Sequence, residues 1–126
     1  ELRRKRAGHL FSKNRYLSAQ MLAYLENDLW LDLAKSANSS AKNLAALLSS
    51  LSYVKLHHQP DANIIFADMP RRMHQQLLQA GVKYYLRNGS FEGDLDESLT
   101  GRFVCSWSTT EKDMEELSAV VKKLIY

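Results

Sequence analysis

The sequence predicts an α/β fold of the α+β kind: a long N-terminal helix pair, then a small, mostly antiparallel sheet of about four strands with helices packed on one face. Three observations predict it. Leu22, Leu25, Leu29, Leu33, Ala37, Ala41, Leu44, Leu48 and Leu51 recur at intervals of three or four, which is one apolar stripe along a helix. After Leu51 the period changes to short extended runs. The first two runs are joined by a loop too short to hold a crossover helix, and such a connection requires antiparallel pairing.

The helical pattern covers residues 12–51. Forty straight residues is a long helix for a globular chain, and Asn27-Asp28 offers an N-cap just before Leu29-Trp30-Leu31, so a break is expected there. Residues 53–56 read as a short strand and His57-His58-Gln59-Pro60-Asp61 as a loop, because Pro60 disfavours a helical Gln59. Residues 62–67 form a continuous apolar run, which suggests a strand buried on both faces. Pro70 suits the first turn of a helix running to about Ala80, with Gly81 as its left-handed C′ residue. Residues 82–87 read as a third strand, 88–98 as a polar loop, and 102–107 as the last strand. Ser108 and Glu111 have the spacing of a capping box, opening a helix with Met114, Leu117, Val120, Val121 and Leu124 on its apolar side. Neither repeats nor low-complexity tracts interrupt this order.

At 126 residues the chain can bury roughly two-thirds of its unfolded surface. It opens Glu1-Leu2-Arg3-Arg4-Lys5-Arg6 without Met or an apolar leader, and is expected to be part of something longer. No apolar run approaches the length of a membrane span, so no membrane association is expected. Cys105 alone cannot form an internal disulfide; a buried thiol and a cytoplasmic setting are expected. Net charge is +3, and Arg3, Arg4, Lys5, Arg6, Lys13 and Arg15 crowd the beginning of the chain. Nucleic acid is not the expected partner, because RNP-like strands, Gly-x-x-Gly clamps, zinc-ligand spacing and aromatic interleaving are all missing. The same cations suit one phosphate dianion.

Polar residues elsewhere read mainly as structure. His57 and His58 are adjacent and point apart, so a solvated loop is expected rather than a metal pair. Asp94, Asp96 and Glu97 lack calcium-loop spacing. Tyr24, Trp30 and Trp107 read as core or domain-interface aromatics. Arg102 differs from these: it is expected at the start of a strand that leads straight into a capped helix, a rigid mount for a group able to grip a carboxylate bidentately.

The run from Lys5 to Met21, then Ala23-Tyr24-Leu25, Asp28-Leu29-Trp30-Leu31, Ala62-Asn63-Ile64-Ile65-Phe66, Gly101-Arg102-Phe103-Val104 and the helix beginning Thr109-Thr110-Glu111-Lys112-Asp113, resembles the C-terminal third of threonine aldolases of the low-specificity branch, within the β-eliminating lyase family. The resemblance covers essentially the whole chain. It implies the small domain of a fold type I pyridoxal-phosphate enzyme, with residues 1–51 as a mainly helical connecting segment, 52–126 as the small α/β subdomain, and a large cofactor domain upstream. The implied reaction is cleavage of a β-hydroxy-α-amino acid to glycine and an aldehyde by a homodimer or homotetramer.

The resemblance assigns the substrate carboxylate to Arg102 and puts Lys5, in the family's Arg-Lys-x-x-Gly stretch with Gly8, near the substrate. His9 falls in the same stretch, either approaching substrate or making a structural hydrogen bond. Where related enzymes carry a glycine triplet followed by Met-Arg, this chain reads His9-Leu10-Phe11, so the contact to the cofactor phosphate stays open between Lys13 and Arg15, which also suit solvated positions on a first helical turn. The lysine that bonds the cofactor is expected upstream, so these residues by themselves are expected to be inactive. The alternatives are a noncatalytic α/β module that binds an acidic partner, and the small domain of another fold type I enzyme such as an aminotransferase.

Overall fold

The computed structural model describes residues 1–124, which fall into two compact units divided between Asp32 and Leu33. The first holds α1 (Leu2–Arg6), α2 (Asn14–Leu25), a 3-10 turn (Glu26–Asp28) and the opening residues of α3 (Leu29–Ser49). The expected break is present, but its agent is backbone conformation rather than a cap. Asn27 and Asp28 both take left-handed φ angles, 52° and 58°, which asparagine and aspartate tolerate better than other side chains. Helix α1 went unpredicted; its basic residues Arg3 to Arg6 show no apolar periodicity. Along the stripe, Leu22, Leu25 and Leu29 are exposed, whereas Ala37, Ala41, Leu44 and Leu48 are buried.

The second unit comprises the rest of α3, β1 (Lys55–Leu56), β2 (Ile64–Pro70), α4 (Arg71–Gln79), β3 (Tyr85–Leu86), β4 (Ser98–Val104) and α5 (Glu111–Val121). The sheet order is β1-β2-β4-β3 and every pairing is antiparallel. Ile65, Ala67 and Met69 of β2 and Phe103 of β4 share a core with Ala41, Leu44, Ala45 and Leu48 of α3, Met73 and Leu77 of α4, and Val121 of α5. All three helices therefore cover one face. The residues of α3 after Leu33 are structurally part of the sheet layer, because their small and leucine side chains supply its lid.

Several boundaries differ from the sequence expectation. Strand β2 is not buried on both faces; Ile65, Ala67 and Met69 are buried in strict alternation, because all three helices of this unit among the described residues pack on their side of the sheet. Pro70 is the last β2 residue and the N-cap of α4, one position before the expected first turn. Gly81 takes φ +88° as expected, with the Gly81 amide donating to Leu78 (2.9 Å) and the Val82 amide to Leu77 (3.0 Å), the bond pair of a Schellman stop. The α5 capping box is formed by Thr110 and Asp113 rather than Ser108 and Glu111. Ser108 instead hydrogen-bonds Ser106 (2.7 Å), which shifts the helix start two residues on. Tyr24, Trp30 and Trp107 are all exposed, so none is a core residue of this chain. Cys105 is buried as expected, and burial pushes its thiol pKa up.

Strand β4 begins at Ser98, so Arg102 is its fifth residue and not its start. Gly101 is the reason the sequence misleads: a glycine usually weakens a strand, yet here it makes room. A Cβ on it would lie 2.8 Å from the Phe103 ring and 3.1 Å from Tyr84, and those two rings stack with centroids 4.3 Å apart.

His74 is fully buried and ties α4 to the sheet. Its Nε2 donates to the Leu99 carbonyl (2.9 Å), which leaves Nδ1 to accept from the Tyr84 hydroxyl (2.8 Å). Burial holds the imidazole below its usual pKa of 6.5. A depressed histidine binds its proton more readily in the unfolded chain, so stability falls as pH drops below about 6.5 toward the folded value. Urea unfolding between about pH 7 and 5 should show this decline, and His74→Gln should flatten it; an unchanged slope in the variant would assign the acid sensitivity elsewhere.

Candidate functional site on the open face of the sheet

The sheet face opposite the helices is formed by alternate residues of four strands. Phe66 of β2 faces Arg102 of β4, which faces Tyr85 of β3; one rung along, Asp68 faces Thr100 on β4 and Lys55 on β1. Arg102 is exposed, and its Cζ lies 5.2 Å from the centroid of the Tyr85 ring. A guanidinium held over an aromatic ring keeps its planar fork of donors, the geometry that matches a carboxylate. Its mid-strand position fixes the backbone on both sides by pairing, which makes it a rigid mount even though no helix begins beside it.

Beside it lies a polar cluster that sequence reading did not assemble. The Thr100 hydroxyl donates to Asp68 Oδ1 (2.6 Å), and His57 Nε2 lies 2.8 Å from the same oxygen. Burial alone would raise the Asp68 pKa, but Thr100, His57 and the charge of Lys55 outweigh it and hold the carboxyl below its usual range. His57 is thus a paired residue and not the solvated loop histidine expected. Phe66, Asp68 and Tyr85 carry no motif, and only the strand register brings them to Arg102.

A second network fixes the loop between β3 and β4. Arg71 is 3 % exposed; its Nε donates to the Ser90 carbonyl (3.0 Å), one Nη to the Asp94 carbonyl and the other to Glu97 (2.6 Å). Arg72 pairs with Asp96, and Gln75 donates to the Phe91 carbonyl (2.7 Å). The acidic residues expected as a solvated loop are therefore held in place by α4. Among the described residues no group of three or more His, Cys, Asp or Glu side chains is placed to hold a metal.

The other candidates belong to the first unit. Lys5 lies in α1, where it pairs with Glu1 (3.2 Å). Lys13 is the N-cap position of α2 and Arg15 lies in its first turn; both are exposed and neither has a carboxylate partner among the described residues. His9 is exposed between the two helices, its amide donating to Arg4 (3.0 Å). Arg102 alone belongs to the second unit.

No helix among the described residues is long and apolar enough to cross a membrane. No family model matches the chain. The low-specificity L-threonine aldolase of Pseudomonas sp. (strain NCIMB 10558) is 34% identical over 125 residues, which are 99% of this chain and 34% of that protein. The enzyme of the same name from Pseudomonas aeruginosa is 33% identical over 122 residues, 97% of this chain and 33% of its own length. The chain thus spans about a third of the length of these curated relatives. Nearly the whole of the chain is thus similar to one third of a low-specificity L-threonine aldolase.

Proposed function

We propose that this chain is the small C-terminal domain of a pyridoxal-phosphate-dependent aldolase of fold type I, acting in the cytoplasm as a homodimer or homotetramer. The substrate is a β-hydroxy-α-amino acid of the threonine type, cleaved to glycine and an aldehyde. The observation that carries the reading is Arg102, exposed mid-strand on the sheet face opposite the helices of its unit, in a chain that matches one third of a threonine aldolase over nearly its whole length. The guanidinium edge takes the substrate carboxylate and so fixes rotation about Cα, orienting the bond to be broken.

The first unit has the donor chemistry that a cofactor phosphate requires. Lys13 and Arg15 lie at the N-terminus of α2, whose first turn holds no acidic residue and whose cap position makes no side-chain hydrogen bond. Two cations at a helix N-terminus without a side-chain cap suit a phosphate dianion. Pyridoxal phosphate, when bound, supplies a conjugated ring that accepts the electrons released as the Cα–Cβ bond breaks.

The whole protein containing this chain, supplied with pyridoxal phosphate and L-threonine, should release acetaldehyde and glycine, followed by coupled reduction of the aldehyde. Residues 1–126 by themselves should release none and should form no borohydride-stable adduct. Amino-group transfer to a keto acid without aldehyde release would favour the aminotransferase reading instead. Failure of both reactions would leave the noncatalytic module that binds an acidic partner.

A further inference from the structure

The open face carries a second guanidinium. Arg87 directly follows β3, and its amide donates to the Thr100 carbonyl (2.8 Å), so it sits opposite Thr100 and diagonal to Arg102 on β4. Diagonal neighbours on one sheet face are about 7–8 Å apart, within reach of long side chains. Arg87 reaches over β4 to set its Cζ 5.2 Å from the Phe66 centroid, while Arg102 rests at the same distance over Tyr85. Asp68 is the carboxylate nearest in register, and it is already engaged by Thr100 and His57. Neither arginine has a carboxylate partner among the described residues, and both are exposed.

Two like charges on neighbouring strands repel, and neither is ion-paired among the described residues. Each guanidinium sits over an aromatic ring, and neither is spent on a carboxylate among the described residues. One substrate α-carboxylate satisfies one fork. We propose that Arg87 is a specificity-determining residue that takes a second carboxylate at the end of the substrate's β-substituent. The preferred substrate class is then a dianionic β-hydroxy-α-amino acid, of which β-hydroxyaspartate is the smallest. This rests on the reading of Arg102 as the α-carboxylate clamp.

The reaction balances without oxidant or reductant. The Cα–Cβ bond breaks, the hydroxyl proton passes to a base, Cβ becomes the aldehyde carbon of glyoxylate, and Cα takes a proton to give glycine.

The test uses the whole protein with its cofactor and compares kcat/KM for L-threonine and β-hydroxyaspartate in the wild type, Arg87→Gln and Arg87→Lys. The wild type should cleave β-hydroxyaspartate at least as efficiently as threonine. Arg87→Gln should lower kcat/KM for β-hydroxyaspartate by about tenfold or more, chiefly through KM, since one charge-assisted hydrogen-bonded contact is lost. Threonine cleavage should stay within about twofold, and Arg87→Lys should recover part of the loss. Equal losses on both substrates, or none on either, would overturn the assignment while leaving the aldolase reading intact. A wild type that cleaves neither compound would overturn the aldolase reading and this inference with it.

Discussion

In the whole protein, Arg102→Lys should reduce kcat/KM for a β-hydroxy-α-amino acid by about ten- to a hundredfold while cofactor content stays unchanged. Lysine keeps the charge but replaces a planar fork with a point donor, so the bidentate grip on the carboxylate is lost. A charge-assisted hydrogen bond contributes about 1.5–3 kcal/mol, which sets the size of the effect. The loss should appear in kcat as well as KM, because the clamp orients the scissile bond and does more than hold the substrate. Strand pairing on both sides of Arg102 and its exposure on the open face mean that the variant should fold as the wild type does. Full activity with an unchanged KM would make Arg102 an ordinary surface residue.

Arg71→Ala should be the most damaging single change to the fold outside the hydrophobic core, at about 3 kcal/mol. Arg71 is nearly inaccessible, yet Glu97, its carboxylate partner, is half exposed, so the loss lies at the lower end of the range for a broken buried ion pair. The Ser90 and Asp94 carbonyls would lose their donors, and the space that Gly93 leaves for the guanidinium, with a Cβ there only 2.9 Å from Nη1, would open. Urea unfolding should give the stability change, and limited proteolysis should cut between residues 88 and 97 in the variant but not in the wild type. Loss of less than about 1 kcal/mol with the loop still protected would show that Arg72 and Gln75 hold it unaided.

The helix and strand order was legible because it follows from period: the leucine and alanine spacing of α3, the switch after Leu51 and the glycine stop at Gly81 are local signals. Arg102 was singled out by its local setting and by the resemblance to a family; its place on β4 was misread because Gly101, which admits the Tyr84 and Phe103 rings, looks locally like a strand breaker. The cluster of Phe66, Asp68, Tyr85 and Arg87 was not legible. Its members are spread over residues 66–87, and it depends on which residue of β4 each faces. Register is set by the packing of the opposite face, where Ile65, Ala67 and Phe103 meet the helices, and a slip of one residue would reverse both faces. Arg71 escaped notice for a related reason: a charged residue at a helix start reads as solvated, and its burial comes from a loop that closes over it much later in the chain.

The outermost strands, β1 and β3, are each two residues long. A strand of that length exposes too few unpaired amides and carbonyls to template another, so the sheet is blunt at both margins. Margins this short disfavour growth by strand addition, whether into a continuous intersubunit sheet or into an aggregate, and leave the broad face as the larger surface for contact.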